Sequence, residues 1–550
     1  MMDKRFFLTV GLCFGILFIW QNYISPPPKK KIATPASAPA MGQATPAQAA
    51  SGSMPVGATT AIPGDPALPA AAKLVRFDQP QFTAQISTVG GGLRDFILKD
   101  YKEGGKKRGE EKHPVQLVAE SQEPITAATL LVGGQPFPYA EAVASGNQVT
   151  LTGESQGLAV QAHWGLQPTE YTLEYAGTVT NRGAQAQAVQ LALAMNGLYD
   201  EAKVKDHSMF EPQPDLAIPV FYDGSSMHRH KAEKTDSPSV ATNVAWAGID
   251  RQYFLLAAAP VAPPSHDIRF SESRVPNEPQ MLRMQALLAN EPQMLQPGAS
   301  VPFQYIVYAG PKLSDRLRAP GRGFEQVTDY SFIGLPLGFI ARPMLWVLNR
   351  AHDFVHNWGV AILIVTVLLK SVMFPVTQRS FKSMQVMRDL KPELDGIKKR
   401  FPGDREKQGL ETMRLYKERK VNPFLSGCLP ALLQLPVWVA MWRMLASAVE
   451  LYQKDFLWLA DLTAKDPYYI LPILTGVTTF IQQKISPPAG EPQQQKMMLY
   501  MMPPMFTLFM LGLPSGLVFY SFINGILTVL QQTYITRRFA KPTSPKLVNG

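Results

Sequence analysis

The chain has 550 residues, a formal net charge of +10 and two cysteines, Cys13 and Cys428. That length accommodates two or more domains, and the positive balance suits an anionic membrane surface or nucleic acid. Both cysteines fall within or at the edge of apolar runs and the long middle region has none, so it needs no disulfide, and a thiolate metal or redox centre is disfavoured.

The chain opens Met1-Met-Asp-Lys-Arg5 and is almost wholly apolar from Phe6 to Tyr23. Lys4 and Arg5 ahead of the run favour an inside N-terminus. A cleaved signal peptide is the competing reading. The run is long for one and ends in Trp20-Gln-Asn-Tyr-Ile-Ser-Pro26 without a small-x-small site, so residues 1–24 predict an uncleaved transmembrane anchor. Residues 25–72, rich in Pro, Ala, Gly, Ser and Thr, predict a linker that cannot bury enough apolar surface to fold.

From Lys73 the hydrophobic period becomes two. Phe82-Thr-Ala-Gln-Ile-Ser87, Leu158-Ala-Val-Gln-Ala-His-Trp164, Tyr171-Thr-Leu-Glu-Tyr175 and Phe303-Gln-Tyr-Ile-Val-Tyr308 read as strands. Gly90-Gly-Gly92, Gly133-Gly134 and Asn181-Arg-Gly183 punctuate them. Residues 73–318 thus predict a large β-sandwich, outside if the N-terminus is inside. Within residues 337–357, Arg342 to His356 carry a helical stripe, with Met344, Leu348, Ala351 and Val355 on one face and Arg342, Asn349, Asp353 and His356 on the other. Pro343 fits a first turn, and the whole predicts an amphipathic helix in the interface plane.

Five apolar runs follow, at about 359–376, 424–448, 468–484, 497–512 and 516–535. Each approaches the roughly 20 residues needed to cross a bilayer. With the anchor they predict six transmembrane α-helices. Residues 376–423 hold thirteen Lys or Arg against seven acids, whereas the next loop carries Glu450, Asp455, Asp461 and Asp466 against Lys454 and Lys465. The asymmetry places both termini, including the basic tail 537–550, on the inside. Within 376–423, Met384, Met387, Leu390, Leu394 and Ile397 recur at helical spacing, Phe401-Pro-Gly-Asp404 is a turn, and a second periodic stretch follows. This predicts a helical hairpin, either a solvated loop or a docking surface for anionic lipid, RNA or a client chain.

Lys370 interrupts the apolar run from Val360 to Phe374. An ammonium in hydrocarbon costs roughly 2.5–3.5 kcal/mol on insertion scales. One reading is snorkelling, because Pro375 and the end of the run are roughly 7–8 Å away along a helix. The other is that Lys370 faces protein, water or a ligand. Thr366, four residues earlier, shares its helix face. Gln434, Asn524, Gln531 and Gln532 read as interhelical hydrogen-bonding groups, worth about 0.6 kcal/mol each. Apart from Glu450 at an outer boundary, the five runs contain no Asp or Glu, which argues against a proton-coupled transporter. No covalent active site, metal site or cofactor signature is evident: His228-Arg-His230 reads as a surface loop, and His352 and His356 lack a third ligand.

Asn422-Pro423, Gly427-Cys-Leu-Pro430, Gln434-Leu-Pro436, Asp466-Pro-Tyr-Tyr-Ile-Leu-Pro472, Gln494-Gln-Lys496 and Pro514-Ser-Gly-Leu-Val518 together resemble the YidC membrane protein insertase family of Gram-negative bacteria. Ser87-Thr-Val-Gly-Gly-Gly-Leu-Arg94 and Leu98-Lys-Asp-Tyr101 extend the resemblance to the outer region, so it runs essentially end to end. It implies a periplasmic β-supersandwich and a five-helix core, residues 358–536, with a groove open to cytoplasm and lipid. One basic residue stands in that groove, and position 370 matches it. Many relatives have Arg there; Lys keeps the charge and loses bidentate pairing. Relatives can carry two adjacent tyrosines on the last span, where this chain has Tyr520-Ser521. The expected groove and client-binding residues are therefore Lys370, Thr366, Tyr520 and Ser521.

Met502, Phe506 and Met510, at i, i+4 and i+8, are expected to line an apolar path for client helices. The resemblance implies a non-enzymatic inner-membrane insertase and chaperone without a cofactor. Its partners would be nascent membrane proteins, the ribosome, the Sec translocon and the phospholipid bilayer, with no specific nucleic-acid sequence. Transport of a solute, and sugar chemistry in the outer domain, are the competing readings. Family sandwiches look like sugar-epimerising folds, but no convergent acid–base pair is identifiable here.

Overall fold

The computed structural model describes residues 72–104, 110–118, 125–167, 170–205, 215–230, 240–241, 244–262, 266–332, 336–419, 423–486 and 492–539. The predicted anchor, nearly all of the predicted linker, and residues 540–550 of the tail lie outside the described residues.

Alternating sequence becomes strand wherever one face can be buried. A nine-stranded antiparallel sheet runs in the order Met227–Arg229, Ile218–Tyr222, Trp246–Asp250, Phe254–Ala262, Ser300–Pro311, Thr172–Asn181, Leu158–Leu166, Gln148–Ser155 and Glu141–Ser145. A six-stranded sheet is built on Asp267–Val275, Glu278–Ala289 and Leu191–Asp200, and a four-stranded sheet runs from Leu74–Asp78 to His113–Gln116. Their inner faces share one core containing Phe82, Trp164, Tyr175, Leu193, Met195, Phe270, Phe303 and Tyr305. Trp164 and Tyr175 stack with centroids 4.4 Å apart. The Gly90-Gly-Gly92 turn exists to let this pair approach. Trp164 Nε1 donates to the Gly91 carbonyl at 2.8 Å, Gly91 has φ 63°, and a Cβ there would collide with the Tyr175 hydroxyl.

The second half is helical: α1 (Gly338–Val355), α2 (Trp358–Asp389), α3 (Lys391–Arg400), α4 (Arg405–Glu418), α5 (Pro423–Ser447), α6 (Ile470–Ile485), α7 (Pro492–Met510) and α8 (Ser515–Phe539). Among the described residues one stretch, Trp358–Gln378, is long and apolar enough to cross a bilayer, with a mean hydropathy of 2.2. Six spans are not established by length and composition. Helix α6 has 16 residues, and α7 contains Pro503 and Pro504 and opens on a polar turn.

Helix α1 begins earlier than its stripe suggests, so Pro343 is its sixth residue rather than part of a first turn. The stripe residues Met344, Leu348 and Ala351 do not face lipid. They pack on Ile362 and Val365 of α2 and on Val439, Met444 and Leu445 of α5. The opposite face exposes Phe339, Trp346 and Phe354 beside Arg342 and Arg350. Any interfacial contact of α1 is therefore aromatic and cationic. His356 closes the helix in the left-handed region at φ 50°, and His352 stacks on Trp358 at 3.7 Å.

The loop between α5 and α6 is organised by its acids. Asp461 accepts from the Gln453 and Thr463 amides at 3.1 and 2.8 Å. Asp466 accepts from the Tyr468 and Leu471 amides at 3.1 and 2.8 Å, capping α6. This loop also joins the β-domain to the helices. Lys112 Nζ donates to the Gln453 and Ala460 carbonyls at 3.4 and 3.3 Å. Tyr253 packs on Tyr452 at 4.8 Å, and Val449 belongs to the β-domain core.

Glu450 is enclosed at this junction, where the Asn349 amide donates to it at 3.4 Å. Burial raises its carboxyl pKa and nearby Asp315 adds to the rise, against its own backbone amide and Asn349. The folded chain thus binds this proton more tightly than the unfolded chain. The destabilising charge is absent below the ordinary carboxylate range and is fully present once pH exceeds the raised value. In purified full-length protein, Glu450→Gln is expected to raise the thermal midpoint at pH 8, with the difference closing as pH falls towards 4. A lower midpoint for the variant at pH 8 would contradict this.

Candidate functional site

Helix α2 supplies Thr366, Lys370 and Thr377, spaced four and seven residues apart and so close to one helix face. Helix α8 supplies Ser521, Thr528 and Gln532, spaced seven and four apart. The two helices pack along their length and run in the same direction, because Lys370 meets Thr528 and Thr377 meets Gln531. Within an apolar layer each backbone carbonyl and amide is used by its own helix. The polar side chains are then the only groups left to bond between helices.

The Lys370 Nζ donates to Thr528 Oγ1 at 2.9 Å. Thr528 is 8 % exposed, and its own proton goes to the Asn524 carbonyl at 2.6 Å. Gln531 Nε2 donates to Thr377 Oγ1 at 2.7 Å, and Gln532 Nε2 to Ser486 Oγ of the segment after α6 at 3.1 Å. The Lys370–Thr528 and Gln531–Thr377 contacts make a polar seam between α2 and α8, with one cation in it, and Gln532 extends the polar contacts of α8 to the end of α6. An ammonium has three donors, and among the described residues one of them is engaged. No carboxylate pairs with it among the described residues.

The expected groove residues are only partly together. Thr366 shares the Lys370 face but is 1 % exposed, and its hydroxyl donates to the Ile362 carbonyl at 2.7 Å. Ser521 donates to the Leu517 carbonyl at 2.9 Å and accepts from Trp438 Nε1 of α5 at 3.4 Å. It lies about 10 Å along α8 from the Lys370 contact, at 1.5 Å per residue. Tyr520 is fully buried in the helical core, so its ring packs between helices and is closed to an incoming ligand in this conformation.

The expected apolar path also divides. Met502 is 42 % exposed and Phe506 is half-buried, but Met510 is fully enclosed in the helical core. The i, i+4, i+8 spacing assumed an unbroken helical face. The side chain of Met510 turns into the core while Leu508 of the same turn stays exposed, and the exposed apolar surface of α7 is Met498, Tyr500, Met501, Met502, Met505 and Leu508.

Thr528 and Thr377 are not among the residues expected from the sequence, whose aliphatic hydroxyls are those of Thr366 and Ser521. A signal was available: Ser521, Thr528 and Gln532 recur at one-face spacing on the last helix. Among the described residues no group of three His, Cys, Asp or Glu could hold a metal.

Two family profiles match the chain: one described as a 60Kd inner membrane protein over residues 350–542, and one described as the YidC periplasmic domain over residues 74–347. A relative from Anaeromyxobacter dehalogenans (strain 2CP-C), "Membrane protein insertase YidC", is 35% identical over 560 residues, covering 98% of this chain and 98% of its own length. Another of that name, from Syntrophus aciditrophicus (strain SB), is 31% identical over 574 residues, covering 98% of this chain and 100% of itself. A solved structure, "Active YidC insertase crystal structure with the first transmembrane domain resolved", aligns over 84% of this chain and 94% of its own. It does so at 17% identity and a TM-score of 0.35, too slight to support an argument.

The division of the α7 stripe is open to labelling. With Cys13 and Cys428 replaced by alanine, Met502→Cys in native membranes is expected to react with a bilayer-partitioning maleimide, while Met510→Cys stays unreactive until denaturation. Equal reactivity of the two would contradict the burial described.

Proposed function

The chain belongs to the YidC membrane protein insertase family, whose members insert membrane proteins, and from that premise we propose how its own residues do so. The family is one of inner-membrane proteins with a periplasmic domain. We place this chain in that membrane with six spans and both termini in the cytoplasm, as the charge asymmetry of its loops favours. The action is non-covalent. A polar segment of a nascent membrane protein enters partway along a hydrophilic groove, while its apolar helix passes the outside of the bundle, over the exposed methionines of α7. Ribosome contact through the basic hairpin of α3 and α4, and cooperation with the Sec translocon, belong to this same reading.

The observation that carries it is Lys370. It lies on Trp358–Gln378, which among the described residues is the one stretch long and apolar enough to cross a bilayer, and its ammonium turns to a hydroxyl of a neighbouring helix with two donors uncommitted among the described residues. At about 8 Å and an effective dielectric near 20, attraction between that charge and a client carboxylate is roughly 2 kcal/mol. This biases entry of an acidic tail and still permits release, which matters because the client must leave into lipid. Tight pairing would trap it.

The test uses a single-span client with an acidic translocated tail, inserted by cells or proteoliposomes containing Lys370→Ala, Lys370→Arg or Lys370→Glu. Insertion is expected to fall about tenfold or more with Ala and Glu and to persist with Arg. Normal insertion by all three would overturn the electrostatic account.

A further inference from the structure

A lysine in this position has a problem that an arginine lacks. Its charge sits at the end of a flexible four-carbon stem and has no planar fork to orient it. Pro375 is five residues on, so the stem can carry the ammonium towards the membrane surface and out of the bundle. The contact with Thr528 opposes that. The Thr528 proton is committed to the Asn524 carbonyl at 2.6 Å, so what this hydroxyl offers Lys370 is a lone pair, at 2.9 Å. A β-branched side chain in a helix has few rotamers, so the oxygen is held in place by its own helix. It is also neutral: it fixes the ammonium without cancelling the charge, which a carboxylate at that place would do.

We propose that Thr528 is the positioning residue for the groove cation: it holds the Lys370 ammonium inside the bundle, and an incoming client carboxylate meets a charge already in place. This deepens the proposed function and rests on it. Thr528 does not touch the client; it acts through Lys370. The resting ammonium is thus held by a weak, uncharged acceptor. Substrate charge recognition by this chain then depends on a pair of side chains 158 residues apart, one on each of two packed helices.

The experiment compares Thr528→Val, which replaces the hydroxyl with a methyl at nearly constant shape, with Thr528→Ser, which keeps it. Clients with acidic and with uncharged translocated tails are inserted side by side in the full-length protein, at matched membrane levels. Thr528→Val is expected to lower insertion of the acidic-tailed client about tenfold and leave the uncharged one unchanged. Thr528→Ser is expected to restore it, and Lys370→Arg combined with Thr528→Val to recover most of it, since a guanidinium orients itself. Normal acidic-tail insertion by Thr528→Val overturns the proposal, as does an equal defect in Val and Ser or an equal loss for both clients.

A second readout does not depend on insertion at all. Labelling of Lys370 by a water-soluble amine reagent, read by peptide mass, should rise several-fold in Thr528→Val as the ammonium swings to the surface; unchanged labelling overturns the proposal. If labelling rises but Lys370→Ala still inserts both clients normally, the positioning stands and the charge-recognition reading fails.

Discussion

A cation kept inside an apolar helical bundle needs an oxygen to point at, and the strength of that oxygen decides what the cation can do. A carboxylate would neutralise it; the headgroup region would draw it away. In this chain the oxygen is the hydroxyl of Thr528, a neutral acceptor whose own proton is spent within α8. The charge is therefore located and still available. The parallel packing of α2 and α8, the second contact between Thr377 and Gln531, and the lack of a paired acid among the described residues are consistent with a polar seam held in an apolar surrounding without being closed.

The β-domain is joined to the same scaffold by chemistry of a different kind. Its tie to the helices is the loop after α5, where buried aspartates bind backbone amides and Lys112 binds backbone carbonyls. Hydrogen bonds to charged groups in partly dry surroundings are among the stronger ones available. They leave the loop little freedom at the point where Glu450 is withdrawn from water. The same acids, Asp461 and Asp466, build the structure of the loop through its backbone amides.

The β-rich character of the first half was legible because a period of two is a direct imprint of a one-sided sheet. Phe82–Ser87 is a strand with the bounds its alternation suggests, and Leu158–Leu166 runs two residues beyond the alternating stretch that ends at Trp164. The sheet order was not legible, since Thr172–Asn181 pairs with Ser300–Pro311 across more than a hundred residues and nothing local encodes that partner. Helix α1 was legible as a helix, but not what its stripe faces: an apolar stripe looks the same whether lipid or protein covers it. At the site, Lys370 announced itself by its cost in hydrocarbon. Thr528 did not, because a threonine in a membrane helix can satisfy itself on its own backbone and carries no outward sign of a second partner. The burial of Met510 was not legible either, since spacing fixes a face and not the burial of that face.

The central claim is about where one nitrogen sits and what surrounds it. Solid-state NMR of the full-length protein in lipid bilayers, with 15N at the lysine side chains and Lys370 assigned by substitution, reads this directly through magnetisation transfer from nearby protons to Nζ. The account predicts transfer from water and from the Thr528 side chain, with none from acyl-chain protons. Transfer dominated by acyl-chain or headgroup protons, without a Thr528 contact, would contradict it.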